Sequence, residues 1–223
     1  MEVVEPRAIR NVTLFGESGT ARPLSRGPIR WSIGSQEYLI RVGTAGDPER
    51  SIRTADGLIV SIDAAAGCTA QLETVLRAAD DYQVARLCLI DGMGRPGADF
   101  DRCVRAIAEI RGAIPLPLHI PLGAGTEFDG VLDLIRLWDL GAADDSRWQV
   151  AAPCQRRLRE TLGAKDLQHA HQRIRTLTRI GDAIPILCGA APGGDGRAPL
   201  LDAVARYLPS PMDVCQPEHA LDY

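Results

Sequence analysis

The sequence predicts an α/β protein built on a mostly parallel β-sheet with helices on both faces. Short runs of apolar and β-branched residues alternate with longer segments of helical periodicity. The short runs are continuously apolar rather than alternating, which is typical of parallel strands that are buried on both faces. These observations predict strands at residues 12–15, 38–40, 58–62, 87–90 and 184–187.

Three apolar stripes at helical spacing predict helices that pack on this sheet. Residues that recur every three or four positions fall on one face of a helix, so we interpret the stripes as core rather than as sites. The stripes are Leu72, Val75, Leu76 and Ala79; Phe100, Val104, Ile107 and Ala108; and Leu201, Val204, Ala205 and Leu208.

Residues 113–181 interrupt the alternation of strands and helices. This stretch begins with a Pro-rich extended segment at 115–122 and continues with two predicted helices, near 153–162 and 166–180. We interpret it as a subdomain inserted before the last strand. The predicted division of the chain is 1–112 for the first part of the main domain, 113–181 for the insertion, 182–211 for the last strand and helix, and 212–223 for a tail.

Composition excludes several classes of protein. A net charge of −4 and a pI near 5.6 argue against sequence-specific DNA binding. The six cysteines are scattered without a Cys-x-x-Cys pair, which favours buried thiols in a reducing compartment over disulfides or a metal site. No run approaches the roughly 18 apolar residues of a membrane span, so we expect a cytoplasmic protein.

Residues 91–100 read Asp-Gly-Met-Gly-Arg-Pro-Gly-Ala-Asp-Phe. This stretch resembles the base-reading loop Asn-Lys-Met-Asp-Arg-x-Gly-Ala-Asp-Phe of the translational GTPase elongation factor G. Met93, Arg95 and residues 97–100 fix the frame, so that Asp91, Gly92 and Gly94 stand at the base-reading Asn, Lys and Asp positions. The loop is therefore similar in frame but lacks the side chains that read the base.

Three further blocks are similar to elongation factor G and its ribosome-protection relatives. They lie at 49–75, at 118–134 and at 185–211, whereas the likeness before residue 49 is thin. The resemblance implies a P-loop NTPase-like fold with an inserted subdomain, and it implies GTP and Mg²⁺ as the cofactors of the family.

The phosphate loop implied by the resemblance begins at Gly16. A working loop, Gly-x-x-x-x-Gly-Lys-Ser/Thr, cradles phosphates with backbone N–H groups, a lysine and a Mg²⁺-binding hydroxyl. Here Gly19 is retained, but Ala21, Arg22 and Pro23 replace the second glycine, the lysine and the hydroxyl residue. Proline offers neither a hydroxyl nor an N–H group.

The first helix and both switch regions of the family are predicted to be truncated. Pro23, Gly27 and Pro28 interrupt the helix segment, and the next strand is expected by about residue 37. In the second switch, Gly43 and Asp47 stand at the family's metal-organising Asp and catalytic His positions. We expect the shortened segments to leave apolar surface exposed near residues 12–15, which would invite association.

The resemblance leaves six degenerate GTP-facing positions: Gly16, Gly19, Arg22, Asp91, Ala190 and Ala191. These positions also have ordinary structural explanations. Gly16 and Gly19 suit a strand-to-turn connection, Arg22 suits a solvated surface charge, and Asp91 suits a capping or solvent-facing role. If the family's base-reading Asp is replaced by Gly94, the loss of its two charged hydrogen bonds to the base costs about 3–6 kcal/mol of binding free energy. A micromolar binder that loses about 4 kcal/mol becomes a millimolar one.

The sequence therefore predicts a pseudo-GTPase without catalytic residues, metal or bound GTP, which acts as a binding module linked to translation. The alternatives are a GTPase with residual GTP binding or hydrolysis, and a truncated remnant without function.

Residues 156–179 carry seven basic and two acidic side chains, a local charge of +5. This segment is either a solvated helical face or a patch for the ribosome or for another, acidic protein. The candidate contact residues are Arg156, Arg157, Arg173, Arg175 and Arg179.

Overall fold

A computed structural model describes residues 4–16, 27–44, 46–110, 113–138, 146–190, 194 and 196–214 of the chain. The strands of these residues are β1 (Ile9–Phe15), β2 (Ile29–Ile33), β3 (Gln36–Thr44), β4 (Gly57–Asp63), β5 (Arg86–Asp91), β6 (Ile114–Pro117), β7 (His119–Leu122), β8 (Gly130–Asp133) and β9 (Ala183–Cys188). Seven of them form one sheet in the order β2-β3-β1-β4-β5-β9-β6. Every neighbouring pair is parallel except β2 with β3. The predicted mostly parallel sheet is confirmed.

Helices cover both faces of this sheet. They are α1 (Pro48–Thr54), α2 (Ala70–Asp81), α3 (Phe100–Ala108), α4 (Ser146–Leu162), α5 (Leu167–Arg179), α6 (Arg197–Tyr207) and α7 (Pro211–Val214). Ile59 and Leu87 pack toward α4, α5 and α6, whereas Val60 and Cys88 pack toward α1, α2 and α3. The alternation of strand side chains between two covered faces explains why the strands read as continuously apolar.

Two of the predicted helices differ in detail from the pattern. In α3, Cys103 is buried between Phe100 and Ile107, whereas Ala108 is exposed. Helix α4 begins at Ser146 rather than near Pro153, which lies inside it. A proline is favoured in the first turn of a helix, which made Pro153 resemble a start.

Strand β2 is not among the predicted strands, because the pattern places the next strand only at about residue 37. The alternating sequence of Ile29, Trp31 and Ile33, followed by a turn at Gly34, is nevertheless a hairpin signal. Strand β2 pairs antiparallel with β3 and forms one edge of the sheet. The segment between the phosphate loop and β3 thus contains a strand.

The expectation of exposed apolar surface near residues 12–15 is wrong. Val12, Leu14 and Phe15 are only 3–6% exposed. Val12 and Leu14 pack in the cluster that includes α6, and Phe15 packs in the cluster that includes α1 and α2. Helix α6 on one face and helices α1 and α2 on the other therefore cover β1.

The segment 113–181 begins inside the main sheet, because β6 pairs in parallel with β9. Strands β7 and β8 form a separate antiparallel pair. Ile114 donates its N–H group to Asp182 O, just before β9, and Leu118 donates to Ile186 O in β9. The nitrogens of the intervening Pro115 and Pro117 therefore face the open edge of the sheet, where a strand needs no N–H donor. The domain division itself stays a prediction.

Five cysteines of the described residues, Cys68, Cys88, Cys103, Cys154 and Cys188, are free thiols. Burial raises the pKa of Cys88 to about 12, so this thiol is protonated at neutral pH. None of the helices described has both the length and the apolarity needed to cross a bilayer.

Candidate functional site

The carboxyl ends of the central parallel strands meet at one edge of the sheet, where ligands bind in open α/β folds. Gly16 follows β1, Asp63 ends β4, Asp91 ends β5, and Gly189 follows β9. Asp63 and Asp91 are register partners across β4 and β5. The fold thus brings together three of the predicted positions, Gly16, Asp91 and Ala190, with the unpredicted Asp63 among them.

Gly16 makes the closest backbone approach of this edge. Its φ is +86°, and a Cβ atom added to it would lie 2.1 Å from the backbone oxygen of Ser61 on β4. Only glycine fits such an approach without displacing a strand. The other two phosphate-loop positions, Gly19 and Arg22, lie outside the described residues, as does Ala191.

The carboxylate of Asp91 is turned toward its own loop. Its Oδ1 accepts a hydrogen bond of 2.9 Å from the backbone N–H of Gly92. The same oxygen lies 2.2 Å from where a Cβ of Gly189 would be, so the carboxylate fills the space beside that glycine. Gly189 in turn donates its N–H to Ile90 O at 2.7 Å. Asp91 therefore has a loop-capping contact, and half-buried Ala190 follows directly after this contact.

Arg95 crosses the loop that follows β5. Its guanidinium donates to Asp63 Oδ2 in an ion pair. Its Cδ lies 3.4 Å from the point where a side chain at Gly92 would start, and Gly92 has a left-handed φ of +77°. A lysine restored at Gly92 would therefore meet both backbone strain and the Arg95 side chain. Gly94, by contrast, has nothing nearer than the Phe128 ring at 3.9 Å.

Asp63 is held rigidly for this ion pair. Its Oδ1 accepts hydrogen bonds from the backbone N–H groups of Ala65 and Ala66, at 2.8 and 3.3 Å. Sequence reasoning missed Asp63 and its partner Arg95. The signal was present, because an acidic residue at the carboxyl end of a buried strand faces the ligand edge of the sheet.

The loop at residues 91–100 is held in place by contacts of its own. Met93 is buried, and Asp99 accepts a hydrogen bond of 2.8 Å from Arg102 N at the start of α3. The Arg102 guanidinium donates to Ala64 O at 3.0 Å and to Ala65 O at 2.7 Å. These contacts tie the loop to the end of β4 independently of any ligand.

Asp47, which the sequence predicts at the family's catalytic histidine position, is a helix cap. Its Oδ1 accepts hydrogen bonds from Glu49 N at 3.0 Å and Arg50 N at 3.3 Å, where α1 begins at Pro48. Gly43, predicted at the metal-organising position, is the next-to-last residue of β3. Across the described residues, no group of three or more His, Cys, Asp or Glu side chains is placed to hold a metal ion.

A family model for the elongation factor Tu GTP binding domain matches residues 45–210. The chain belongs to this family. The matched residues include the loop at 91–100, strand β9 and helix α6. The predicted phosphate loop precedes the match.

The fold of this GTP-binding domain is also similar to a crystal structure of a protein from Thermus thermophilus. The TM-score is 0.70 at 15% sequence identity, over 93% of this chain and 41% of that chain. The chain thus spans less than half the length of that protein. The similarity supports the P-loop NTPase-like fold predicted from the sequence.

The basic side chains of α4 and α5 do not form one solvated face of this domain. Arg175 is engaged within the chain, because it donates to Arg206 O at 3.0 Å and pairs with Asp213 at 2.8 Å, and its role as a contact residue stays a prediction. Arg173 donates to Leu162 O at 3.2 Å, although its side chain stays exposed. Arg156 and Arg157 are exposed on α4. Arg179, which ends α5, is half-buried.

Proposed function

We propose that this domain is a pseudo-GTPase of the elongation factor family, which has lost GTP hydrolysis and most of its affinity for nucleotide. The observation that carries the proposal is the base-reading loop. Its frame is retained, Gly92 and Gly94 offer no side chain to a base, and Arg95 pairs with Asp63 across Gly92. In this proposal, the loop keeps its fold but has lost the side chains that would bind the guanine base.

The phosphate and metal side supports the same proposal. Pro23 stands at the hydroxyl position of the phosphate loop, and Asp47 serves as the cap of α1. GTP hydrolysis in this fold depends on positioned water, Mg²⁺ and phosphate contacts rather than on covalent chemistry by the protein. Without those groups, the domain can bind a partner but cannot hydrolyse GTP.

A titration with a fluorescent GTP analogue tests the loss of nucleotide binding. We expect no saturable binding below about 1 mM, with or without Mg²⁺, because the missing base contacts alone weaken a micromolar site to that range. An active elongation factor G, titrated in parallel, should saturate. Micromolar binding that disappears in Arg22→Ala would contradict the proposal and would favour a GTPase with residual chemistry.

We propose further that the remaining role is binding, in the cytoplasm, to the ribosome or to an acidic protein through α4. Arg156 and Arg157 are adjacent, exposed and without an ion-pair partner among the described residues. A pair of neighbouring free cations is the feature that a polyanion attracts. The half-buried Arg179 adds to the charge of this region.

Ribosome co-sedimentation at low and high salt tests this surface. We expect salt-sensitive pelleting that falls to background when Arg156 and Arg157 are both changed to Glu, because the reversed charges repel phosphate. The matched control reverses Arg77 and Arg105, which are exposed on α2 and α3 at the other face of the sheet. Equal loss in both double variants would mean that net charge, not this surface, drives the association.

A further inference from the structure

A cavity of about 190 Å³ with a mixed apolar and polar lining lies between α5, α6 and the β7-β8 pair. Its lining includes none of the residues of the candidate nucleotide site. Leu118, Leu187 and Pro199 form apolar parts of its wall, and His119, Asp202 and Arg206 are among its polar groups. A cavity of about 150 Å³ is large enough for benzene. This one therefore has room for a molecule of about seven or eight non-hydrogen atoms.

Two of the four charged groups that line the cavity already neutralise each other. Asp133 accepts hydrogen bonds from the backbone N–H groups of Ile135 and Arg136, at 2.9 and 3.0 Å. Its other oxygen lies 3.3 Å from Arg136 Nε. This pair therefore offers a ligand little net charge.

The other two charged groups, Asp202 and Arg206, are one turn apart on α6. Among the described residues no ion pair joins them, and the Arg206 guanidinium has no hydrogen-bond partner. Asp202 uses only Oδ1, which accepts a hydrogen bond of 2.8 Å from Trp31 Nε1. The cavity thus presents one unused carboxylate oxygen and one unused guanidinium.

His119 adds a buried polar group to the cavity wall. The residue is 6% exposed, its Nε2 lies 3.9 Å from Asp133 Oδ2, and its Nδ1 has no hydrogen bond of ordinary geometry. Burial lowers the pKa of His119, although the Asp133 carboxylate and the Cys188 backbone oppose the shift. A buried polar atom without a partner is costly and is uncommon unless a ligand or water satisfies it.

We propose that this cavity binds a small zwitterion of the α-amino-acid type, with its carboxylate on Arg206, its ammonium group on Asp202 and its side chain toward His119. An arginine binds a carboxylate through two parallel hydrogen bonds, and an ammonium group donates to a free carboxylate oxygen. A ligand of one sign would leave either Asp202 or Arg206 unpaired. The proposal is independent of whether the domain binds GTP.

Saturation-transfer NMR with the full chain and each of the proteinogenic L-amino acids at millimolar concentration tests the site. We expect at least one amino acid to bind saturably and to shift the ring resonances of His119. Arg206→Gln and Asp202→Asn should each weaken that binding by about tenfold or more, because each removes a charged hydrogen-bond partner. Arg105→Gln, an exposed change on α3, is the control and should bind as the parent does.

Urea unfolding of the variants separates lost contacts from lost folding. Arg206 contributes no side-chain hydrogen bond among the described residues, and the amide introduced by Asp202→Asn retains an oxygen acceptor for Trp31. Both variants should therefore unfold at the parental midpoint. Three results would overturn the proposal: no amino acid binds, Arg206→Gln binds as tightly as the parent, or the matching simple amine or N-acetylated amino acid binds as well as the zwitterion.

Discussion

Replacing Gly16 with alanine is expected to lower the free energy of unfolding by about 2–5 kcal/mol. The added Cβ would lie 2.1 Å from Ser61 O, and this atom belongs to the backbone of β4, which cannot rotate away. The left-handed φ of +86° adds strain of its own. Relief requires β1 and β4 to separate in the centre of the sheet. Equilibrium urea denaturation, followed by circular dichroism, measures the change.

Gly34→Ala is the matched control for this prediction. Gly34 also has a positive φ, +60°, but nothing lies within 4 Å of an added Cβ in the turn between β2 and β3. This variant should lose only the conformational part, about 1–2 kcal/mol. If Gly16→Ala and Gly34→Ala lose equal stability, the close approach of Gly16 to β4 contributes nothing.

Replacing Arg10 with methionine is expected to lower the free energy of unfolding by about 2–4 kcal/mol, because it leaves a buried carbonyl without a donor. Arg10 is 2% exposed, and its Nε and Nη2 donate to Ala205 O at 3.2 and 2.9 Å. The residue four positions after Ala205 is Pro209, which has no N–H to donate. Arg10 thus supplies from β1 the hydrogen bond that the end of α6 lacks.

Urea denaturation also tests this prediction, with Arg41→Met as its control. Arg41 is exposed on β3, so its replacement should change stability by less than about 0.5 kcal/mol. Methionine keeps most of the volume of the arginine stem, which limits the contribution of a cavity. A loss for Arg10→Met no greater than that for Arg41→Met would show that Arg10 is dispensable to the end of α6.

The central strands and helices could be predicted because each has a complete local pattern. Residues 58–62 are apolar except for Ser61, residues 87–90 are continuously apolar, and the stripe from Leu72 to Ala79 repeats at helical spacing. Strand β2 was missed because only three alternating residues mark it. The start of α4 was misplaced because Pro153 is favourable in a first turn and yet lies in the helix interior here.

The burial of residues 12–15 could not be predicted from the neighbouring sequence. The predicted truncation of the family's first helix says nothing about what else covers β1. That cover comes from α6, which lies near the other end of the described chain, and from α1 and α2. Contacts at such separation depend on the way the whole sheet is wound, which no window of the sequence contains.

The parallel α/β architecture and the family resemblance of residues 91–100 could be inferred from the sequence, because both depend on residue type and spacing. The contacts made at the predicted site positions emerge only from the folded chain. Arg95 pairs with Asp63, Asp91 caps its own loop, and Asp47 caps α1. The cavity with Asp202, Arg206 and His119 likewise exists only because three separate segments fold together. These contacts join residues that are distant in sequence or depend on the local fold, so they cannot be inferred from residue type and spacing.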